Sequence, residues 1–85
     1  MVQTYWFELP LSGPIDLEAA SERLYALCGD GQLAGDERGG SILFSRKART
    51  ADGAVDTAIE DAQAAGLTVR GRPAEVETSI TRLRD

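Results

Sequence analysis

The sequence contains no histidine, no asparagine and a single cysteine, Cys28. Histidine is the commonest metal ligand and the usual general base near neutral pH, so its absence argues against most metal centres and acid–base sites. A lone cysteine cannot form an internal disulfide, so nothing indicates an oxidising compartment. We therefore expect no cofactor and no metal.

Long apolar runs and positive charge are also scarce. No run approaches the roughly 18 apolar residues of a membrane-spanning helix, and residues 1–4 lack the basic and apolar regions of a signal peptide. Nine basic residues stand against 14 acidic ones, giving a net charge of −5. A nucleic-acid binder needs a cationic surface. We therefore expect a cytoplasmic protein that binds no membrane and, by this domain alone, no nucleic acid.

The apolar pattern predicts four strands and two main helices. Aromatic and aliphatic residues alternate through the first strand, and a continuous apolar run marks the third. Asp16 and Thr50 are suitable N-caps, while Gly29 and Gly66 follow the helices as stop signals. The predicted strands cover 3–9, 30–37, 41–45 and 67–72, and the predicted helices cover 16–28, 50–65 and, as a short terminal helix, 74–84.

The order of these elements indicates a single α+β domain over residues 1–85. Strand–helix–strand occurs twice, at 3–37 and 41–72, which is the ferredoxin-like βαββαβ pattern. Right-handed crossovers would place strands 1 and 3 in the centre of a four-stranded antiparallel sheet, with both helices on one face. The core would span 3–72, and 73–85 would be a C-terminal extension.

The sheet face opposite the helices is the main candidate interaction surface. Period-2 alternation puts Trp6 on that face, with Thr4 and Glu8. Strand 3 would add a bulky group there, one of Ile42 or Phe44, with Leu43 facing the other way. An exposed apolar patch of this kind usually marks an interface, and we take Trp6, Thr4, Glu8 and Leu43 as candidate residues. The alternative is that a terminal stripe of Val76, Ile80 and Leu83 covers the face.

Basic residues after strand 3 are a second candidate site. Arg46, Lys47 and Arg49 precede the second helix, whose N-terminus favours anions. They form either an anionic-ligand site or solvated charges that balance an acidic chain. Arg70 and Arg72 would lie towards the other end of the sheet.

Nucleic-acid and catalytic sites have weaker support. The RNA-recognition motif shares the βαββαβ order, but strand 3 lacks its base-stacking aromatics and only Trp6 could stack. Acylphosphatases resemble this fold, yet they need an arginine in the loop after strand 1 and a catalytic asparagine, both absent here. Cys28 at a helix C-terminus is expected to be a small core residue. The acidic residues at 30, 36 and 37 match no defined cation loop.

A short motif carries one resemblance. The segment Phe44-Ser45-Arg46-Lys47-Ala48, followed by Ala54-Val55, Ala58-Ile59 and Asp61, resembles small uncharacterised bacterial proteins with a ferredoxin-like domain. Many of those continue into a helix-turn-helix, and some resemble antitoxin or regulator components. This chain has Ser45 and Lys47 where that pattern is acidic, and it ends at Asp85 without a helix-turn-helix. The resemblance implies a regulatory role and assigns no catalytic residue.

Together these features predict a non-enzymatic, antitoxin-like interaction module in bacterial regulation, acting as a homodimer or with a partner protein. A small anionic-ligand sensor using Arg46, Lys47 and Arg49 is the alternative. A hydrolase on a ferredoxin-like scaffold is a distant third.

Overall fold

The computed structural model describes residues 2–78. Its elements in chain order are β1 (Gln3–Ser12), α1 (Leu17–Leu27), β2 (Gly31–Asp36), β3 (Gly39–Ala48), α2 (Ala51–Ala64), β4 (Thr68–Val69) and β5 (Val76–Thr78). Within the described range the two helices and the antiparallel sheet confirm the predicted α+β class. The strand order is β2-β3-β1-β4, with β5 also paired to β1, so β1 and β3 are central.

The β1–β3 ladder is the longest pairing in the sheet. It runs antiparallel from Gln3 opposite Ala48 to Leu11 opposite Gly40. Each strand is ten residues long and continues three residues beyond its predicted C-terminal end. This added length places Arg46 inside β3, where strand alternation decides which face its side chain occupies.

Both helices cover the same face of the sheet. One hydrophobic core unites the inward side chains of β1 and β3 with small and aliphatic residues from both helices. Phe7 and Phe44 stack at its centre, with ring centroids 5.4 Å apart, a geometry that aromatic pairs favour. The fully or nearly fully buried residues include Tyr5, Phe7, Leu9, Leu11, Leu24, Ile42, Phe44, Val55, Ala58 and Ala62. Neither helix therefore covers the opposite face of the sheet, which we call the open face.

Capping fixes the helix boundaries close to their predicted positions. The Asp16 carboxylate accepts a hydrogen bond from the Ala19 amide at 3.3 Å, and the Thr50 hydroxyl accepts one from Gly53 at 3.0 Å. After α2, Gly66 adopts a φ of +85°, and the next amide bonds back to Ala62 as in a Schellman motif. No helix in residues 2–78 is long and apolar enough to cross a membrane.

The buried stripe of α1 is narrower than the sequence predicts. Ala20 and Leu24 are buried, but Leu17 and Leu27 are 44% and 49% exposed, respectively. Both exposed leucines lie at the ends of the helix, where the chain approaches and leaves the sheet. The helix therefore leaves both leucines accessible to solvent, together with Tyr25, which is 52% exposed.

The fourth strand is split, contrary to the single strand predicted over 67–72. β4 pairs Val69 with Leu11, and β5 pairs Val76 with Phe7 on the same edge of β1. Val69 and Val76 are seven residues apart, whereas their partners Leu11 and Phe7 are four residues apart, so three residues between β4 and β5 are looped out of the pairing. The break has a physical reason: the Arg70 amide bonds to the Pro10 carbonyl at 2.8 Å, but proline has no N–H with which to return the bond.

The terminal helix predicted for 74–84 is wrong over its described part, because Val76–Thr78 form β5. Val76 packs partly buried against the core beside Phe7, on the helix side of the sheet. It therefore does not belong to a stripe that covers the opposite face. Ile80 and Leu83, the other members of that predicted stripe, lie outside the described residues.

Candidate functional site

The predicted interface residues lie on one face of the sheet. Cross-strand pairing places Glu8 opposite Leu43, Trp6 opposite Ser45 and Thr4 opposite Lys47. Leu43 is 51% exposed, whereas Ile42 and Phe44 are both fully buried beneath the helices. Leu43 therefore supplies the apolar group that strand 3 contributes to the open face, and neither Ile42 nor Phe44 does so.

A groove runs beside Leu43 across β1 to the looped-out segment. It has a volume of about 360 Å³ and is lined by Trp6, Phe7, Glu8, Leu43, Ala74, Glu75 and Glu77. Glu77 is the cross-strand partner of Trp6, so the side of the groove formed by residues 74–77 lies next to the indole. The groove thus combines an apolar floor with carboxylates from two chain segments, an arrangement that the split fourth strand creates.

Arg46, the leading residue of the predicted basic site, is buried instead of exposed. Its side chain is 9% exposed and lies on the helix side of β3. The guanidinium donates two hydrogen bonds to Asp30, at 2.8 and 2.9 Å, one to Asp61 at 2.7 Å and one to Thr57 at 3.1 Å. It also lies 4.9 Å from the ring centroid of Phe44. These contacts use the planar, forked donor geometry of arginine.

Electrostatics in this cluster follow from the same contacts. The hydrogen bond from Arg46 holds the pKa of Asp30 below its ordinary value, although partial burial opposes that effect. Hydrogen bonding to Asp30 also raises the pKa of Arg46. Burial, followed by the Asp30 charge, raises the pKa of the Cys28 thiol. The thiol is thereby disfavoured as a nucleophile, since the thiolate is the reactive form.

The structure does not bring the basic residues together as one anion site. Lys47 follows Arg46 in β3 and so occupies the opposite, open face of the sheet. Arg49 is exposed after the strand ends. Arg72 lies beside α2, where it donates a hydrogen bond to Asp56 at 2.9 Å. Each base thus has a different environment, and Arg46 joins β3 to α2 and to the segment before β2.

Sequence reasoning missed the Arg46 cluster, although part of its signal was present. Extending the alternation of Ile42 and Phe44 by two residues places Arg46 on the inward face. Asp30 and Asp61 are 16 and 15 residues away along the chain. The pairing of β2 with β3 brings Asp30 to Arg46 and the packing of α2 against β3 brings Asp61, so the spacing along the chain did not reveal the cluster.

The remaining acidic residues form no metal centre in the described range. The Asp36 carboxylate accepts a hydrogen bond from the Arg38 amide at 2.8 Å, which stabilises the turn between β2 and β3. Within residues 2–78 no group of three or more potential ligand side chains could hold a metal ion. Asp30 is already paired with Arg46.

The geometry thus leaves two features of interest, the acidic groove on the open face and the Arg46 cluster beneath the helices. The groove is open to solvent beside Leu43, whereas the hydrogen-bond donors of Arg46 are engaged by Asp30 and Asp61. Comparisons with protein-family models, with curated proteins and with solved structures found no match for this chain.

Proposed function

We propose that this chain is a non-enzymatic protein-interaction module that binds a second copy or a partner protein through the open sheet face. The observation that carries the proposal is the exposure of Leu43 in a central strand. Half of this leucine is accessible, and it borders a groove that Trp6 also lines. Full burial of an exposed leucine is worth about 1.5–3 kcal/mol, so covering the accessible half of Leu43 at an interface would contribute about half of that.

The scaffold we propose for this module is ferredoxin-like. The order β2-β3-β1-β4 supports it, with β4 and β5 together serving as the fourth strand along β1. The resemblance of residues 44–48 to bacterial regulator components adds the proposal that the module acts in the bacterial cytoplasm, in an antitoxin-like regulatory role. The loop-out opposite Pro10 is compatible with this scaffold, because it changes the edge and leaves the central strands unchanged.

No observation favours the anionic-ligand sensor as a second candidate function. That hypothesis needs Arg46 to face a ligand beside Lys47 and Arg49. The guanidinium of Arg46 is engaged by two carboxylates and a hydroxyl, and Lys47 lies on the opposite face of β3.

A matched pair of leucine variants tests the interaction module. Leu43→Ser alters the open sheet face, and Leu27→Ser makes the same chemical change at an equally exposed leucine of α1. Multi-angle light scattering over a range of concentrations measures self-association, and quantitative affinity capture measures stoichiometric partners. We expect Leu43→Ser to weaken association at least tenfold and Leu27→Ser to preserve it.

Trp6→Ser provides a second variant on the same face, with circular dichroism as the control for folding. Association that is equal in all three variants and the parent chain would contradict the proposal. The proposal would also be contradicted if the parent chain is monomeric at every concentration and captures no stoichiometric partner protein.

A further inference from the structure

The charge of the groove indicates what kind of partner it accepts. Its lining includes three carboxylates, Glu8, Glu75 and Glu77, and no lysine or arginine from the described residues. Glu8 and Glu75 are exposed and form no ion pair within residues 2–78. An acidic or phosphate-bearing occupant would be repelled here, while a basic one would be attracted.

Apolar and acidic side chains are closely interleaved on this face. Leu43 is the direct cross-strand partner of Glu8, and Trp6 is that of Glu77. Directly opposed side chains in an antiparallel pair have Cβ atoms about 5 Å apart. A segment that contacts either apolar group therefore passes within reach of a carboxylate, so its charged and apolar side chains must be interleaved as well.

We propose that the partner segment bound on this face carries lysine or arginine side chains interleaved with large apolar ones. The inference rests on the proposed interaction function and specifies its partner chemistry. The apolar side chains cover Leu43 and the indole of Trp6. The basic groups pair with Glu8 and Glu75 at the rim, where exposed ion pairs contribute mainly to selectivity and association rate.

The single tryptophan of the chain is a built-in reporter for this site, because Trp6 lines the groove. Two synthetic 12-residue peptides serve as probes, one of lysine, leucine and serine and the other with glutamate in place of each lysine. Fluorescence of the full chain is followed during titration with each peptide at low and at moderate salt. We expect saturable binding of the lysine peptide alone, weakening with salt as screened ion pairs do.

Two pairs of charge variants locate the effect. Glu8→Gln with Glu75→Gln removes two rim carboxylates, and each removal is expected to weaken binding about two- to fivefold. The matched control, Glu18→Gln with Glu22→Gln, alters the same number of exposed glutamates on α1 and should leave binding unchanged. Equal weakening by both pairs would overturn the inference, since the chain's overall charge would then explain it.

The outcomes separate failure of this inference from failure of the proposed function. Equal binding of both peptides, lost in Leu43→Ser, would leave the face as an interface but refute its preference for basic partners. Self-association that depends on Leu43, without peptide binding, would assign the face to a second copy of the chain. That result would also refute the preference for basic partners. Tighter peptide binding in Arg82→Gln with Arg84→Gln would assign the face to the chain's own terminus, again overturning an external partner. Absence of both peptide binding and Leu43-dependent association would overturn both proposals.

Discussion

Replacing Arg46 with methionine should destabilise the fold more than any other single charge removal in the described chain. The variant keeps much of the aliphatic stem but leaves two carboxylates, Asp30 and Asp61, without their common partner. Removing one member of a fully buried ion pair costs about 3–5 kcal/mol. Here the two carboxylates are 31% and 32% exposed, so water compensates in part, and we expect a loss of about 2–4 kcal/mol.

Urea denaturation at pH 7, followed by far-ultraviolet circular dichroism, measures this loss. Arg49→Met is the matched control, because Arg49 is exposed nearby and should change the free energy of unfolding by less than about 0.5 kcal/mol. Arg46→Lys should fall between the two, since an ammonium group preserves the charge but cannot reproduce the bidentate contact with Asp30.

The pH dependence provides an independent check. Because the folded-state pKa of Asp30 is lowered, its ionised form is favoured by folding. That stabilisation is complete above the unfolded pKa of about 3.9 and is lost as the pH falls through the lower folded-state value. The difference between the parent chain and Arg46→Met should therefore shrink in acid. A loss below about 1 kcal/mol at pH 7, or one that does not shrink in acid, would refute the assigned role of Arg46.

Two further predictions concern backbone features. Thr50→Ala should cost about 1 kcal/mol of stability by removing the N-cap of α2, while Thr50→Ser should preserve it; equal unfolding midpoints in urea would contradict the capping role. Gly40→Ala should be far more destabilising than Gly71→Ala, because a Cβ at Gly40 would overlap the Ala34 carbonyl oxygen and one at Gly71 meets nothing within 4 Å. Thermal melts of the two variants test this difference, and similar melting temperatures would show that the β2–β3 hairpin adjusts freely.

Local sequence patterns were sufficient for the two main helices, α1 and α2, and for the existence of the central strands. The caps at Asp16 and Thr50 and the glycine at Gly66 each act through backbone groups only a few residues away. Alternation likewise assigned Tyr5, Phe7 and Leu9 to the core, because side chains in a strand must point to opposite faces. These predictions needed no knowledge of distant contacts.

The end of the described chain shows where a local pattern fails. The spacing of Val76, Ile80 and Leu83 predicts a helix, and an isolated short helix gains little from that spacing. The edge of β1 offers unpaired backbone groups instead, and Val76–Thr78 pair with it. Pro10 then determines where β4 must leave that edge, an effect that arises from a residue about 60 positions earlier.

The sequence by itself determined the class of the fold and the side chains available to each face. Tertiary structure alone decided their roles. Arg46 stands in a basic run, yet packing of α2 against β3 brings Asp61 and Thr57 to it, and the pairing of β2 with β3 brings Asp30. The acidic groove beside Leu43 likewise exists because the looped-out segment brings Glu75 next to β1. Both outcomes depend on contacts between residues far apart in the chain, which local periodicity does not encode.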